Sequence, residues 1–207
     1  MTYQKLTNFP SDLEIGARLI QQNALVAFPT ETVYGIGALL SSTEGIENLF
    51  RFKGRNFNKP MTVHISSIDQ ITALIQEPPA IFYELVERFF PGPLTLIVKK
   101  APRLPDQVTA GQEYVGIRMP DHSIANELIQ LCGEPLVATS ANLSGEPSPT
   151  NADEVIETFS DSLDAILDDG PTRYKLGSTV IKISEEGHLE VLRRGALCPT
   201  KLNTATF

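Results

Sequence analysis

Three cationic side chains, Lys53, Arg55 and Lys59, fall within seven residues, and His64 follows shortly after them. Polyphosphate chemistry uses this mixture, because lysine supplies a mobile point charge and arginine grips phosphate oxygens through a planar fork. Taken alone, the cluster also suits a solvated basic loop, to which Gly54 and Pro60 give a shape. His64 can hydrogen-bond a carboxylate or hydroxyl, or take a proton, since imidazole titrates near neutrality; a structural histidine is the competing account. Upstream, Thr30, Glu31, Thr32 and Tyr34 offer hydroxyls and one carboxylate to a small polar ligand, or form a turn tied down by its own hydroxyls.

Residues 140–150 read SANLSGEPSPT and crowd hydroxyls, an amide, a glycine and two prolines into one loop. Such a loop can surround a nucleotide with polar groups at fixed positions, and it is equally ordinary as surface. No GxxxxGKS/T signature is present, and GIG at 35–37 lacks the GxGxxG spacing, which weakens P-loop and dinucleotide readings. Arg118 suits either a substrate anion or a buried pair with one of the many acids. Ser178, Thr179, Arg193 and Arg194 add hydroxyls and charge. In a continuing strand the two arginines point to opposite faces, so at most one meets a shared ligand. These pieces suggest anionic-ligand chemistry without a covalent nucleophile or a tightly bound transition metal, and they leave the reaction open.

Positioning these groups falls to alternating helices and strands. The apolar run at 25–28, closed by Pro29, reads as a strand delivering its end to the TETVYG turn, where α/β proteins tend to hold ligands. Ser11 with Glu14 suggests a capping box for a first helix through Leu13, Ala17 and Ile20 that ends near Asn23. Ser41 with Glu44 does the same for a helix through Ile46, Leu49 and Phe50, stopped at Gly54. In MTVHI, alternation sets Met61, Val63 and Ile65 on one face and Thr62 and His64 on the other. Ser67 with Gln70 caps a further helix, and another through Ile81, Leu85 and Phe89 stops at Pro91-Gly92-Pro93. Strands are expected at 94–98, at 115–119 with Arg118 opposite Val115 and Ile117, and at 135–139. A helix ending at Gly133 precedes the last of these, and Asn151 with Glu154 caps another. Short strands near 163–167, 178–183 and 189–193 finish the chain. The pattern predicts an α/β fold with helical cover, its closely spaced final strands forming antiparallel pairs in a mixed sheet.

At 207 residues, one domain is the first expectation. With 42% hydrophobic and 20% charged residues and no long apolar run or leader, the chain is expected to be soluble and cytosolic, with no membrane association. A net charge of -8 argues against a surface built for a phosphate backbone, while leaving room for a local basic cleft. Cys132 and Cys198 form no staple or zinc pattern and are expected as free thiols, one in a helix core and one in a tail. Residues 198–207 are expected to fray.

Taken in order, PTETVYG, KGR, NKPMTVHI, FFPGPLTLIV, VGIRMP, SANLSGEPSPT, GSTV and LRRGAL resemble the threonylcarbamoyl-AMP synthase family over about residues 10–197. The resemblance implies a single twisted α/β domain with a large concave, positively charged cavity. It implies formation of threonylcarbamoyl-AMP and pyrophosphate from L-threonine, bicarbonate or CO2 and ATP, with Mg2+ carried by the ATP. Partner proteins would then transfer the threonylcarbamoyl group to the tRNA adenosine beside the anticodon, and a weak tRNA contact is also expected. By motif, Thr32 and His64 would lie with threonine, and Ser140 and Ser178 at its junction with the nucleotide. Lys53, Arg55, Lys59, Arg118, Asn142, Ser148, Thr150 and Arg193 would serve ATP in the same cavity, with Lys53 and Arg55 acting on the developing phosphate charge. The chain departs from the family pattern at Lys59, where many members have asparagine, and at Arg194, where many have proline. The second domain and linker of the longer family branch are expected to be absent.

Overall fold

The computed structural model describes residues 3–54 and 59–198. The strands are β1 (Gln4–Leu6), β2 (Val26–Phe28), β3 (Gly35–Leu39), β4 (Thr62–His64), β5 (Leu94–Lys99), β6 (Tyr114–Arg118), β7 (Leu136–Ser140), β8 (Ala165–Leu167), β9 (Thr179–Ile183) and β10 (Leu189–Arg193). The α-helices are α1 (Ser11–Gln21), α2 (Thr43–Phe52), α3 (Ala80–Phe89), α4 (Asp106–Thr109), α5 (Ser123–Cys132) and α6 (Ala152–Phe159), with a 3-10 helix at Ile68–Ala73. All ten strands join one sheet in the order β1-β8-β2-β3-β7-β4-β6-β5-β9-β10. The sheet is mixed, as expected. β4 runs parallel to β6 and β5 to β9, whereas β3–β7, β4–β7, β5–β6 and β9–β10 are antiparallel.

Strand alternation sorts the two faces. Ala27, Val63, Ile117, Val137 and Ile166 point into the larger core, which is closed by α2, α3 and α6 through residues such as Leu49, Phe82 and Val155. On the opposite face, Phe28, Leu136, Ala138 and Leu167 pack with Leu13 and Ile20 of α1 and Leu128 and Ile129 of α5. These two helices cover only the β1-to-β7 half of that face. Beyond β7 the same face carries Thr62, His64, Arg118 and Thr95, which line a cleft instead of a core.

Helix starts differ in detail from the sequence expectations. Ser11 does not cap α1; its hydroxyl donates to the Asn8 carbonyl, while the Asp12 carboxylate accepts the Thr7 and Asn8 N–H groups. α1 ends at Gln21, two residues early, with Asn23 at φ 65. Ser42 caps α2 in place of Ser41, because Ser41 is drawn to Glu134. The Ser67–Gln70 capping box and the Asn151 cap are present. Gly54 and Gly133 follow their helices at positive φ, where glycine pays no steric cost. β1 and β3 have no counterpart among the sequence expectations; the two glycines of GIGAL make β3 read as part of the turn before it. β8 pairs in parallel with β1 and β2 at the far edge, so it is not part of a terminal antiparallel set.

Candidate functional site

Sheet register builds the cleft floor. Thr62 lies opposite Gly116 and Ala138, and His64 opposite Arg118 and Leu136, so the polar phase of β4 continues across β6. Thr95 faces Val180 on β9. These strands bound a cleft of about 280 Å³ whose lining includes Thr30, His64, Arg118, Ser140, Ser178 and Arg193.

Behind the floor lies a buried ion pair. Arg118 Nη2 donates to Glu31 Oε2 at 2.7 Å and to Thr32 Oγ1 at 2.7 Å, and the Glu31 side chain is wholly buried. Glu31 Oε1, Arg118 Nε and His64 Nδ1 are buried without a hydrogen-bond partner. Burial, and then the Arg118 charge, hold the His64 pKa well below the usual imidazole value, so this histidine is neutral at neutral pH. Its ring meets Phe28 edge-on at 6.5 Å between centroids. Neutral imidazole here can donate or accept a hydrogen bond but does not carry a resting positive charge.

Two polar clamps flank this floor. On one side, the buried Lys53 ammonium donates to the Ser140 carbonyl and to Asn142 Oδ1 at 3.1 Å, and the Ser140 hydroxyl donates to the same Asn142 oxygen at 2.5 Å. Asn142 in turn pins the Leu143 and Glu146 carbonyls, which gives the 140–150 loop its shape. Tyr34 anchors that loop at both ends through Pro149 O and Ala141 N. On the other side, Arg193 Nε donates to the Ser178 carbonyl at 3.0 Å and Nη2 to the Ser178 hydroxyl at 3.1 Å, while Thr95 and Ser178 share a hydrogen bond at 2.8 Å. Burial and the nearby Arg118 lower the Arg193 pKa, which marks a partly desolvated guanidinium beside a second positive charge. The chain crosses itself tightly here: a Cβ on Gly195 would overlap the Gly177 and Ser178 backbone.

Eight of the sequence candidates meet in the cleft: Thr30, Tyr34, His64, Arg118, Ser140, Ser148, Ser178 and Arg193. Thr32, Lys53 and Asn142 stand against this group through the bonds above without being among its lining residues. Thr150 is drawn away, its N–H and hydroxyl both donating to the Glu154 carboxylate at the start of α6. Lys59 is exposed beside the cleft-lining Pro60. Arg55 lies outside the described residues, as do residues 199–207 of the expected tail. Cys132 is buried in α5, where burial pushes its thiol up to about 12, and Cys198 is exposed. Sequence reasoning passed over Thr95 and Thr139, both in the lining. Thr95 was detectable in principle, as the polar residue between Leu94 and Leu96 in an apolar strand.

The site is a polar cleft bearing two arginines on the open half of a mixed α/β sheet. The chain belongs to the Sua5/YciO/YrdC family, whose model, described as "Telomere recombination", matches residues 18–195. It is 44% identical over 173 residues to threonylcarbamoyl-AMP synthase of Pyrococcus abyssi, covering 84% of this chain and 51% of that protein. It is 43% identical over 187 residues to the Bacillus subtilis protein of the same name, covering 90% and 54%. Its fold is similar to that of Pyrococcus abyssi Sua5 complexed with L-threonine, with a TM-score of 0.94 and 38% identity over 100% of this chain and 61% of that one. The chain thus spans about half the length of these two curated relatives.

Proposed function

We propose that this chain forms threonylcarbamoyl-AMP and pyrophosphate from L-threonine, bicarbonate or CO2, and ATP, acting as one synthase-like domain in the cytoplasm. The observation that carries this reading is the junction of two chemically different half-sites in one cleft: neutral His64 beside Arg118 on the floor, and Lys53–Asn142 with Arg193–Ser178 at its flanks. The likeness to a structure described as complexed with L-threonine supports the first half. A larger concave cavity, of which the cleft of about 280 Å³ is the enclosed part, is the shape this reading requires for ATP and threonine together.

Geometry refines the assignment of Arg118. Its hydrogen bond to Thr32 and its register with His64 support assigning it to the threonine group in place of ATP. Its unpartnered Nε–H is suited to the threonine carboxylate, and His64 Nδ1 to a neighbouring polar atom of the same substrate. Thr150, held by Glu154, serves the loop's shape and reaches the nucleotide only indirectly.

The threonine amine, in its neutral form, attacks carbon; with CO2 it loses a proton to solvent, and with bicarbonate that proton leaves with the departing hydroxide as water. The resulting N-carboxylate oxygen attacks the α-phosphorus of ATP, the bond from that phosphorus to the bridging oxygen breaks, and pyrophosphate leaves. Charge grows on phosphate oxygens, where Arg193 and Lys53 supply electrostatic stabilisation and Arg55 is assigned the same role by motif. No covalent enzyme intermediate is required. Mg2+ enters on the ATP phosphates as part of that substrate. Among the described residues, no group of three or more His, Cys, Asp or Glu side chains could hold a metal ion. The product would pass to proteins that move the threonylcarbamoyl group to tRNA, with at most weak tRNA contact by this acidic chain.

The test is a product assay on purified protein with ATP, threonine and bicarbonate, each omitted in turn. An AMP-linked product and pyrophosphate should form only with all three; the same product without threonine, or nucleotide or RNA binding without turnover, overturns the reading.

A further inference from the structure

Thr30 precedes the buried ion pair in sequence and lines the cleft, yet its polar bonds run inward. Its Oγ1 lies 2.7 Å from the Val33 carbonyl, which can only accept, so the single Thr30 hydroxyl proton is committed there. The 2.9 Å contact between Thr30 Oγ1 and Thr32 Oγ1 then needs a proton from Thr32. With its own proton spent, Thr32 Oγ1 is left as an acceptor for Arg118 Nη2. The result is a directed chain in which Arg118 donates to Thr32, Thr32 to Thr30, and Thr30 to the backbone. The backbone N–H groups of Thr32 and Val33, at 3.2 and 3.3 Å from Thr30 Oγ1, strengthen that oxygen's role as the hub.

The chain has a mechanical consequence for Arg118. One hydrogen of Nη2 goes to Glu31 Oε2 and the other to Thr32 Oγ1, which fixes the plane of the guanidinium while Nε–H stays unpartnered. Glu31 supplies charge balance, but a carboxylate accepts from many directions. A hydroxyl whose rotor is locked accepts from few. We infer that Thr30 is a positioning residue: by setting the direction of the Thr32 hydroxyl, it aims Arg118 at the ligand. This rests on the assignment of Arg118 to threonine.

Without the Thr30 hydroxyl, Thr32 can turn its own proton toward Arg118, placing two donors face to face. The experiment is a double-mutant cycle of Thr30→Val and Thr32→Val, read by calorimetric L-threonine affinity and by KM for each substrate, alongside thermal unfolding. Thr30→Val should weaken threonine binding by about tenfold, the scale of one polar contact. The KM for ATP should stay within about twofold, since the Lys53 and Arg193 clamps share no hydrogen bond with this chain. Thr30→Ser should restore threonine affinity, and the double variant should bind about as well as Thr32→Val alone. Thr30→Cys, which keeps the bulk and weakens the donor, runs the same cycle should the valine variant not fold. Additive losses in the cycle, or unchanged threonine affinity in folded Thr30→Val, overturn the inference. Wild-type protein that binds no threonine would instead overturn the functional reading beneath it.

Discussion

Leu136 and His64 are registered partners on adjacent strands, with side chains on the same face of the sheet, yet one is core and the other is cleft. On the Leu136 side, α1 and α5 press an apolar layer onto the sheet; on the His64 side that layer stops. Phe28 sits at the boundary, packed in the core beneath the helices and edge-on to the His64 ring. The same strand phase therefore yields opposite chemistry according to what lies above it. Where helix cover ends, outward positions can be polar, and once half-enclosed those groups are satisfied by one another, by water or by a ligand.

Breaking each half should give separable effects. The largest is expected from Arg118→Leu, which leaves the Glu31 carboxylate buried and unpaired: unfolding measurements should show a loss of about 3–5 kcal/mol, with threonine binding abolished. Adding Glu31→Gln should recover stability but not binding; recovery of both would remove Arg118 from the site. Phe28→Ala opens a cavity on the covered side, at a cost of about 3–5 kcal/mol, and through its contact with His64 should raise threonine KM more than ATP KM. Equal effects on the two substrates would separate the halves that this contact joins.

Arg193→Lys keeps the charge but cannot hold the Ser178 carbonyl and hydroxyl through one planar fork, so kcat at saturating threonine should fall by about tenfold or more while stability changes little. His64→Ala should cost about 1–3 kcal/mol in threonine affinity, with ATP binding retained. The smallest effect concerns pH. His64 has a folded pKa below its unfolded value of 6.5, so the unfolded chain takes up the proton first as pH falls. Its contribution is absent above about pH 6.5 and destabilises the fold progressively below that, down to the folded pKa. A His64→Gln variant should flatten part of this acid limb in unfolding titrations, His122, whose pKa burial also lowers, and Asp168, held down against its burial by Lys5, contributing to the rest. An unchanged limb would mean that His64 is not held neutral.

Most of this contrast was written in strand phase. MTVHI and VGIRM alone set His64 and Arg118 opposite their apolar neighbours, because alternation at period two needs no knowledge of the partner strand. What phase could not give was the occupant of each face. Sequence leaves Arg118 between a substrate anion and a buried acid, and the structure supplies the acid, Glu31, with Nε buried and unpartnered. Likewise Thr150 carries the motif of a nucleotide contact, and phase says nothing of Glu154, four residues on, which accepts from its N–H and hydroxyl at the start of α6. β3 escaped notice because a strand with two glycines has little apolar signal; its glycines are needed where Phe28 lies flat against Gly35 and Gly37.

The crossing at Gly195 gives the cleft an unexpected dependence. Arg193 reaches Ser178 only because the backbone two residues later lies against Gly177 and Ser178, held by Gly195 N–H on Thr179 Oγ1 and by Ala196 N–H on the Gly177 carbonyl. A single methyl at position 195 would act as a wedge between these segments and lift the arginine from its seat. A chain preserving every charged and hydroxylated residue of the cleft would then be silenced by one added carbon, and its defect would look, in any assay of nucleotide chemistry, like the loss of an arginine that is still there.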